Sequence, residues 1–395
     1  MTHLMCPGAG MNLGRLSLVV LLTGTAPLFG CSGKSGDTSA DADTDTDTDT
    51  DTDTDTDTDT DTDTDTDTDT DTDTDTQTGD PCADVDEVTS KIYVSFVLHN
   101  EEDMVGGVTP SPFEPDYDGD PGIFDHFSSE VMNFAEALSD AGATLSAQSD
   151  WTFIAAVDRY DPEYFVRLNA LPLVEIAPHG HETLVMYEEL YDLLIEADAE
   201  PHPYLGGMDF DLYSSRQAWF EAYPDFVIWE APTVSVAHQE DEPAPPFVYR
   251  SPEPASVTEI PDLYTHVADS IVLVTPGVAS VSPEFSVVDP ARWIEDKPEG
   301  RFIVPAYIRY GTRGFLAEPG DTSVPPQWVA PSSADASAAM IAEAVDIVES
   351  MDPYLKDGSI EFKAISEIIS LYRQYESCLD LTDGMDLSGY VPQRP

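Results

Sequence analysis

Six side chains with the chemistry of metal ligands or acid–base groups follow three apolar runs of the sequence. They are His99, Glu101, Glu102, Asp150, His179 and His181. Imidazoles and carboxylates that converge at one edge of a sheet are the usual ligands of divalent ions of the zinc class. His99 alone also fits a hydrogen-bonded buried residue, and the His-Gly-His pair alone also fits a turn. Together, at successive strand ends, they favour a metal site. Its candidate ligands are His99, Glu101, Asp150, His179 and His181.

The elements that must bring these residues together alternate between strand and helix. The near-continuous apolar run 91–98 predicts a strand buried on both faces. Apolar residues at helical spacing predict a helix over 126–141. Further strands are predicted over 143–149 and 171–177, each followed by a helical pattern. About seven such units in 81–395 predict an α/β fold, a (β/α)7-type barrel that is closed or incomplete, with its chemistry at the strand ends.

The charge of the chain separates a linker from a folded part. The 395 residues carry a formal net charge of −61 at pH 7. Asp43 to Thr76 is an unbroken Asp-Thr repeat with nothing to bury, so 31–80 is predicted to be a disordered acidic linker. The residues after Thr76 include 58 acids and 14 bases and still carry −44, which suggests a surface adapted to salt. So few basic residues exclude nucleic acid as a partner.

The first 30 residues are predicted to be a signal peptide. Arg15 precedes an apolar stretch of about fourteen residues, whereas a helix needs about 20 to cross a bilayer core. The stretch ends in Leu28-Phe29-Gly30-Cys31, which resembles the lipobox of bacterial lipoproteins. That resemblance implies lipidation of Cys31, a membrane as partner, and a place on the outer membrane or cell surface of a Gram-negative bacterium. Secretion without a lipid is the alternative.

Two cysteines flank the globular part. Cys82 and Cys378 are predicted to form a disulfide in an oxidising compartment, and two unpaired thiols are the alternative.

Three alternating carboxylates near the start of the globular part have the spacing of a calcium loop. They are Asp116, Asp118 and Asp120. Pro121 stands where that loop requires glycine, and its twelfth position holds no glutamate. An acidic surface turn is therefore the favoured interpretation, and calcium is the alternative.

The order of these motifs resembles the polysaccharide deacetylase (NodB-like) family of the glycoside hydrolase/deacetylase superfamily. A strand that ends in acids, a strand that ends in Asp150 and a His-rich strand end follow each other as in that family. The segments 204–207 and 359–367 are also similar to its later parts. The resemblance covers roughly 90–376 and implies a (β/α)7 barrel.

Two motifs depart from the family. His99-Asn-Glu101-Glu102 takes the place of its Asp-Asp pair, and His179 and His181 are separated by one residue instead of three. His99-Asn-Glu101 is similar instead to the His-x-Asp metal motif of metal-dependent mannosidases.

The resemblance implies a metal-dependent hydrolase acting on carbohydrate. In a deacetylase, a zinc-class ion would polarise an acetyl carbonyl and lower the pKa of bound water, while Glu101 or Glu102 takes the proton. In a glycosidase, two carboxylates would flank a sugar bond, with Asp150 as candidate nucleophile. A barrel that binds a glycan or a protein without catalysis is the third alternative.

Three further residues are candidates for substrate binding. Trp151 and Tyr204 have rings that can stack on sugars, although aromatic residues at strand ends also serve as plain core. Arg313 follows an apolar run in a very acidic domain, where it can clamp a substrate carboxylate or neutralise nearby acids.

Overall fold

Parallel strands joined by helices organise the chain, as a computed structural model shows. The residues that the structure describes are 80–100, 104–105, 109–110, 117–180, 187–206, 227–228, 245–252, 264–270, 273–274, 277–283, 286–315 and 334–391. The predicted signal peptide, Cys31 and nearly all of the predicted linker lie outside these residues. No helix among the described residues is long and apolar enough to cross a membrane.

Fourteen strands are described. They are β1 (Ile92–Asn100), β2 (Met104–Val105), β3 (Thr109–Pro110), β4 (Leu145–Ser149), β5 (Val174–Pro178), β6 (Tyr204–Leu205), β7 (Val227–Ile228), β8 (Tyr249–Arg250), β9 (Thr265–His266), β10 (Leu273–Val274), β11 (Ala279–Val281), β12 (Val304–Gly311), β13 (Ile360–Phe362) and β14 (Met385–Asp386).

The α-helices of the described residues lie between and after these strands. They are α1 (Val85–Ser90), α2 (Pro121–Asp140), α3 (Trp151–Tyr160), α4 (Tyr164–Asn169), α5 (Tyr187–Glu196), α6 (Pro290–Asp296), α7 (Ala334–Ser350), α8 (Asp352–Asp357) and α9 (Ile365–Tyr375). Helix α2 begins five residues earlier than predicted because Asp120 caps it through the backbone N–H groups of Gly122 and Ile123, and Pro121 suits a first helical position.

The main strands form a six-stranded parallel sheet in the order β11-β12-β1-β4-β5, and β13 pairs with the start of β1. β1 pairs in parallel with β4, and β4 with β5. A parallel bridge between His179 and Gly206 extends this series to β6, which pairs in parallel with β7. The other edge of β1 pairs with β12, and β12 pairs with β11. A late strand thus returns to the first one, and the predicted α/β fold of the (β/α) barrel type is confirmed for the described residues.

The two faces of the main strands are buried in two different cores. Phe96 and Leu98 of β1 belong to an outer cluster with the helices, whereas Tyr93 and Val97 belong to an inner cluster with Tyr307 of β12. Successive residues of a strand point to opposite sides. Burial on both sides therefore explains why the sequence of β1 is almost continuously apolar.

Helix α9 covers the inner cluster at the end where the strands begin. Ile365 and Tyr372 of this helix are buried in the same cluster as Tyr93. Directly after the helix, Cys378 is joined by a disulfide to Cys82, which precedes α1. The opposite end, where the strands finish, carries His99, Asp150 and His179.

Candidate functional site

Three predicted site residues meet at the carboxyl ends of β1, β4 and β5. His99 lies opposite Gln148, because these two residues are paired in the register of β1 and β4. The backbone N–H of Asp150 donates to the carbonyl of Asn100 (3.0 Å), and that of His179 donates to Ser149 (3.0 Å). The rings of His99 and His179 lie face to face, with centres 4.0 Å apart and planes tilted by 28°.

The ring of His179 is buried and held by a neighbouring amide. Its Nδ1 lies 3.0 Å from Oε1 of Gln148, whose side chain is also fully buried. The backbone of Gly206 lies close to this pair. A Cβ at position 206 would lie 2.2 Å from Oε1 of Gln148 and 2.8 Å from Nδ1 of His179. A side chain at position 206 therefore has no room, and glycine there lets β6 approach the site closely.

Behind Gln148, hydrogen bonds between buried polar side chains continue through the barrel interior. Nε2 of Gln148 donates to the hydroxyl of Ser146 (3.3 Å), which is hydrogen-bonded in turn to the hydroxyl of Tyr204. The Tyr204 hydroxyl donates to Oε1 of Glu175 (2.7 Å). Burial raises the pKa of Tyr204 well above its usual value, so this phenol keeps its proton and can donate. These four residues and His179 form what we call the interior chain.

Glu175, at the far end of the interior chain, meets the first residues of helix α9. Its carboxylate accepts from the backbone N–H groups of Ile365 (2.8 Å) and Ser366 (3.3 Å), and Nε2 of His202 lies 3.9 Å away. Burial raises the pKa of Glu175, while these hydrogen bonds and His202 oppose that rise. A carboxylate at a helix N-terminus also interacts favourably with the helix dipole.

Asp150 has a structural task. It is fully buried, and its Oδ1 accepts from the backbone N–H of Phe153 (2.9 Å) and from the hydroxyl of Thr152 (2.7 Å). It is thus the N-cap of α3. Trp151, the first residue of that helix, is half-buried and packs against the outer cluster.

The described candidate ligands do not fit one shared zinc-class ion. An imidazole binds a metal in the plane of its ring, at about 2.1 Å from the nitrogen and thus about 3 Å from the ring centre. The rings of His99 and His179 are stacked with their centres 4.0 Å apart, so an ion between the two faces would lie outside both ring planes. Among the described residues, no three His, Cys, Asp or Glu side chains are grouped so as to hold a metal.

The remaining predicted residues are placed as follows. Glu101, Glu102 and His181 lie outside the described residues, as does the side chain of Arg313, whose backbone is in a 3-10 helix (Thr312–Phe315). The prediction that Tyr204 stacks on a sugar needs correction, because its ring is fully buried in the interior chain.

The described residues of the predicted calcium loop have other contacts. Asp118 forms an ion pair with Arg159 at 2.9 Å, and Asp120 caps α2. Asp116 lies outside the described residues.

Sequence reasoning missed the interior chain, although a signal was present. Ser146 and Gln148 are two apart in one predicted strand, and Glu175 lies in the next. Polar residues at alternate positions of a buried strand share one face. That pattern indicates a polar barrel interior.

Comparisons with known proteins found similar solved structures. No family model matches the chain, and no curated protein matches it. A 4-alpha-glucanotransferase from Thermococcus litoralis is 12% identical with a TM-score of 0.40, over 71% of this chain. This chain spans only 40% of that enzyme.

Two further structures have names from the class that the sequence resembles. A protein named as a candidate glycoside hydrolase/deacetylase from Parabacteroides distasonis is 9% identical with a TM-score of 0.44, over 73% of this chain and 72% of that one. A protein named as a candidate polysaccharide deacetylase from Mycobacterium smegmatis is 14% identical with a TM-score of 0.39, over 78% of this chain and 95% of that one. Solved structures similar to this chain therefore include proteins named as members of the glycoside hydrolase/deacetylase and polysaccharide deacetylase groups.

Proposed function

We propose that the chain is a carbohydrate-active hydrolase, most simply a deacetylase, with its site at the carboxyl ends of β1, β4 and β5. The observation that carries the proposal is the meeting of His99, Asp150 and His179 at three neighbouring strand ends. In barrels of this type the chemistry lies at that end. The sequence resemblance supports a carbohydrate substrate.

The imidazoles supply the proton transfers that such a hydrolysis needs. A neutral imidazole removes a proton from water as the water oxygen attacks the acetyl carbonyl carbon, and returns it to the leaving sugar oxygen or nitrogen. The products are acetate and the free hydroxyl or amine. His179, which Gln148 orients, and His99, which stacks on it, are the described side chains suited to this task.

The proposal includes a zinc-class ion only with a different ligand set. Because no three candidate ligands are grouped among the described residues, His99 or His179 would have to act with Glu101, Glu102 or His181. Metal analysis of the purified full chain, with and without Glu101→Gln and His181→Ala, tests this part. Stoichiometric zinc that both substitutions remove supports it, and zinc content that neither changes contradicts it.

The test of the reaction is product analysis with acetylated oligosaccharides. We expect the full chain to release acetate without new reducing ends, and His179→Ala to lose about 10²-fold or more of that activity. His126→Ala, in α2 on the outside of the barrel, is the matched control and should keep it. New reducing ends without acetate would identify a glycosidase instead.

Glycan binding without catalysis is the second candidate, because the carboxylate of Asp150 is occupied as a helix cap. Calorimetric binding of the same oligosaccharides, with release of neither product, would support it over the hydrolase.

We also propose that a lipid on Cys31 anchors the chain to a membrane and that 31–80 acts as a tether. The lipobox-like sequence supports this proposal. Cells fed a radioactive fatty acid should label the wild-type chain but not Cys31→Ser. Equal labelling of both would contradict it.

A further inference from the structure

We propose that the carboxylate of Glu175 selects the tautomer of His179 through the one-way hydrogen bonds of the interior chain. Glu175 would then be a positioning residue that acts at a distance on the site. The role of this arrangement in catalysis rests on the hydrolase function proposed above. The tautomer of His179 can be measured whether or not the protein is a hydrolase.

The direction of the hydrogen bonds in the interior chain is set at its buried end, Glu175. A carboxylate can only accept hydrogen bonds. Two of the donors that reach Glu175 are the backbone N–H groups of Ile365 and Ser366, which can only donate. The third is the hydroxyl of Tyr204, so its single hydrogen is committed to Glu175.

Each following bond must then run in the same direction. The oxygen of Tyr204 has no hydrogen left for Ser146, so the Ser146 hydroxyl donates to it. The oxygen of Ser146 in turn accepts from the amide nitrogen of Gln148. This assignment fixes the amide of Gln148, whose nitrogen and oxygen could otherwise be exchanged.

The oxygen of the Gln148 amide consequently faces Nδ1 of His179 at 3.0 Å. An amide oxygen accepts, so Nδ1 of the neutral ring carries the hydrogen and Nε2 carries the lone pair. Nε2 is then the nitrogen that takes a proton in general base catalysis. Gly206 leaves room for this contact, because a Cβ there would lie 2.2 Å from Oε1 of Gln148 and 2.8 Å from Nδ1 of His179.

The hydrogen bonds of the interior chain can run in the opposite direction only if the side chain of Glu175 carries a proton. If Glu175 were protonated and donated to Tyr204, all the bonds of the interior chain could turn round and the hydrogen would move to Nε2 of His179. Burial raises the pKa of Glu175, but the backbone N–H groups at the start of α9 can only donate, so they oppose that rise and favour the ionised form.

The experiment is long-range proton–nitrogen NMR on the full chain labelled with ¹⁵N-histidine, at pH 8. The His179 signals are assigned by their loss in His179→Gln. We expect the wild-type ring to carry its hydrogen on Nδ1. Tyr204→Phe removes a link, so the ratio of the Nδ1–H to the Nε2–H tautomer should fall about tenfold, as expected for one hydrogen bond. Tyr164→Phe, a buried tyrosine of the outer cluster, is the matched control and should leave the ratio unchanged.

A second variant keeps the test decisive if Tyr204→Phe does not fold. In Gln148→Glu the group that faces His179 can only accept, so the Nδ1–H tautomer should persist. A switch of tautomer in Gln148→Glu, a wild-type ring with its hydrogen on Nε2, or an unchanged ratio in folded Tyr204→Phe would each overturn the inference. If neither acetate nor reducing ends appear but the ring is Nδ1–H, the proposed function fails while the inference stands.

Discussion

At the scale of single residues, part of the interior of this barrel is polar and lies beside the apolar inner cluster. Ser146, Gln148, Glu175 and His179 face it from two neighbouring strands, and all are buried. A buried polar group is costly unless it is hydrogen-bonded. Each of these four has a partner in the interior chain, so the loss of one link leaves another group without its bond.

The close approach of β6 gives the first prediction. Gly206→Ala places a Cβ against Gln148 and His179, so we expect about 1–3 kcal/mol less stability and a loss of hydrolysis. Gly311→Ala is the matched control, since a Cβ there meets no heavy atom within 4 Å, and it should change stability by no more than about 0.5 kcal/mol. Urea unfolding measures both. Equal stability of the two variants would show that β6 does not press on this pair.

The second prediction concerns pH. Burial raises the pKa of Glu175 from its usual value of 4.5, so the folded chain holds this proton more tightly than the unfolded chain does. Its ionisation therefore costs stability as the pH rises from the usual glutamate range to the raised pKa, and the cost is constant above that. The free energy of unfolding of the wild type should fall relative to Glu175→Gln across this window. Urea unfolding of both chains between about pH 4 and pH 9 measures it, and parallel curves would contradict it.

At the scale of elements, acidic side chains fix where several helices begin. Asp120, Asp150 and Asp289 cap α2, α3 and α6 through hydrogen bonds to backbone N–H groups. For α9 the carboxylate comes from Glu175, in β5. The orientation of α9 against the barrel thus depends on a strand residue.

The cap of α3 gives the third prediction. Asp150→Ala should lower stability by about 1 kcal/mol, and Asp150→Asn by less, because asparagine also caps. Asp289→Ala removes a similar cap from α6 and is the matched control for stability. Thermal unfolding measures this cost. An Asp150→Asn chain that keeps hydrolysis would exclude this residue as a nucleophile, whereas total loss with full stability would restore that role.

Local patterns allowed some of these elements to be predicted, but not others. Helix α3 follows the strand predicted over 143–149, as the helical pattern there indicates, because Asp150 and the apolar spacing after it are both local signals. The two-residue strand β6 is too short to show a pattern. The role of Glu175 could not be predicted because its partner, Ile365, is 190 residues away. The face-to-face rings of His99 and His179 likewise depend on strand register and rotamers, which spacing alone does not give.

At the scale of the whole molecule, one covalent link ties the two ends of the described part together. Cys82 and Cys378 are 296 residues apart, so their disulfide closes a very long loop. Long loops give the largest loss of entropy in the unfolded chain, and we expect about 3–5 kcal/mol of stabilisation. The fourth prediction is that a reducing agent lowers the urea midpoint of the wild type but not that of a Cys82→Ala, Cys378→Ala chain. A wild-type midpoint unaffected by reduction would contradict it.

The net charge of −44 on the residues after Thr76 acts on the molecule as a whole. Like charges destabilise a compact state by repulsion, and salt weakens this repulsion. The Debye length falls from about 30 Å at 0.01 M to about 3 Å at 1 M salt. Exposed ion pairs such as Arg292–Asp296 are each worth little, so their weakening should not reverse the trend.

The fifth prediction is therefore that the urea midpoint of the full chain rises as NaCl increases across this range. MgCl₂ at equal ionic strength separates two causes. If screening alone acts, the NaCl and MgCl₂ curves should coincide, because screening depends on ionic strength. A higher midpoint in MgCl₂ would show that folded carboxylates bind the cation, since a ligand that prefers the folded state stabilises it. A midpoint that stays flat in both salts would mean that the acids are too far apart to repel each other, and that the acidic surface is not an adaptation to salt.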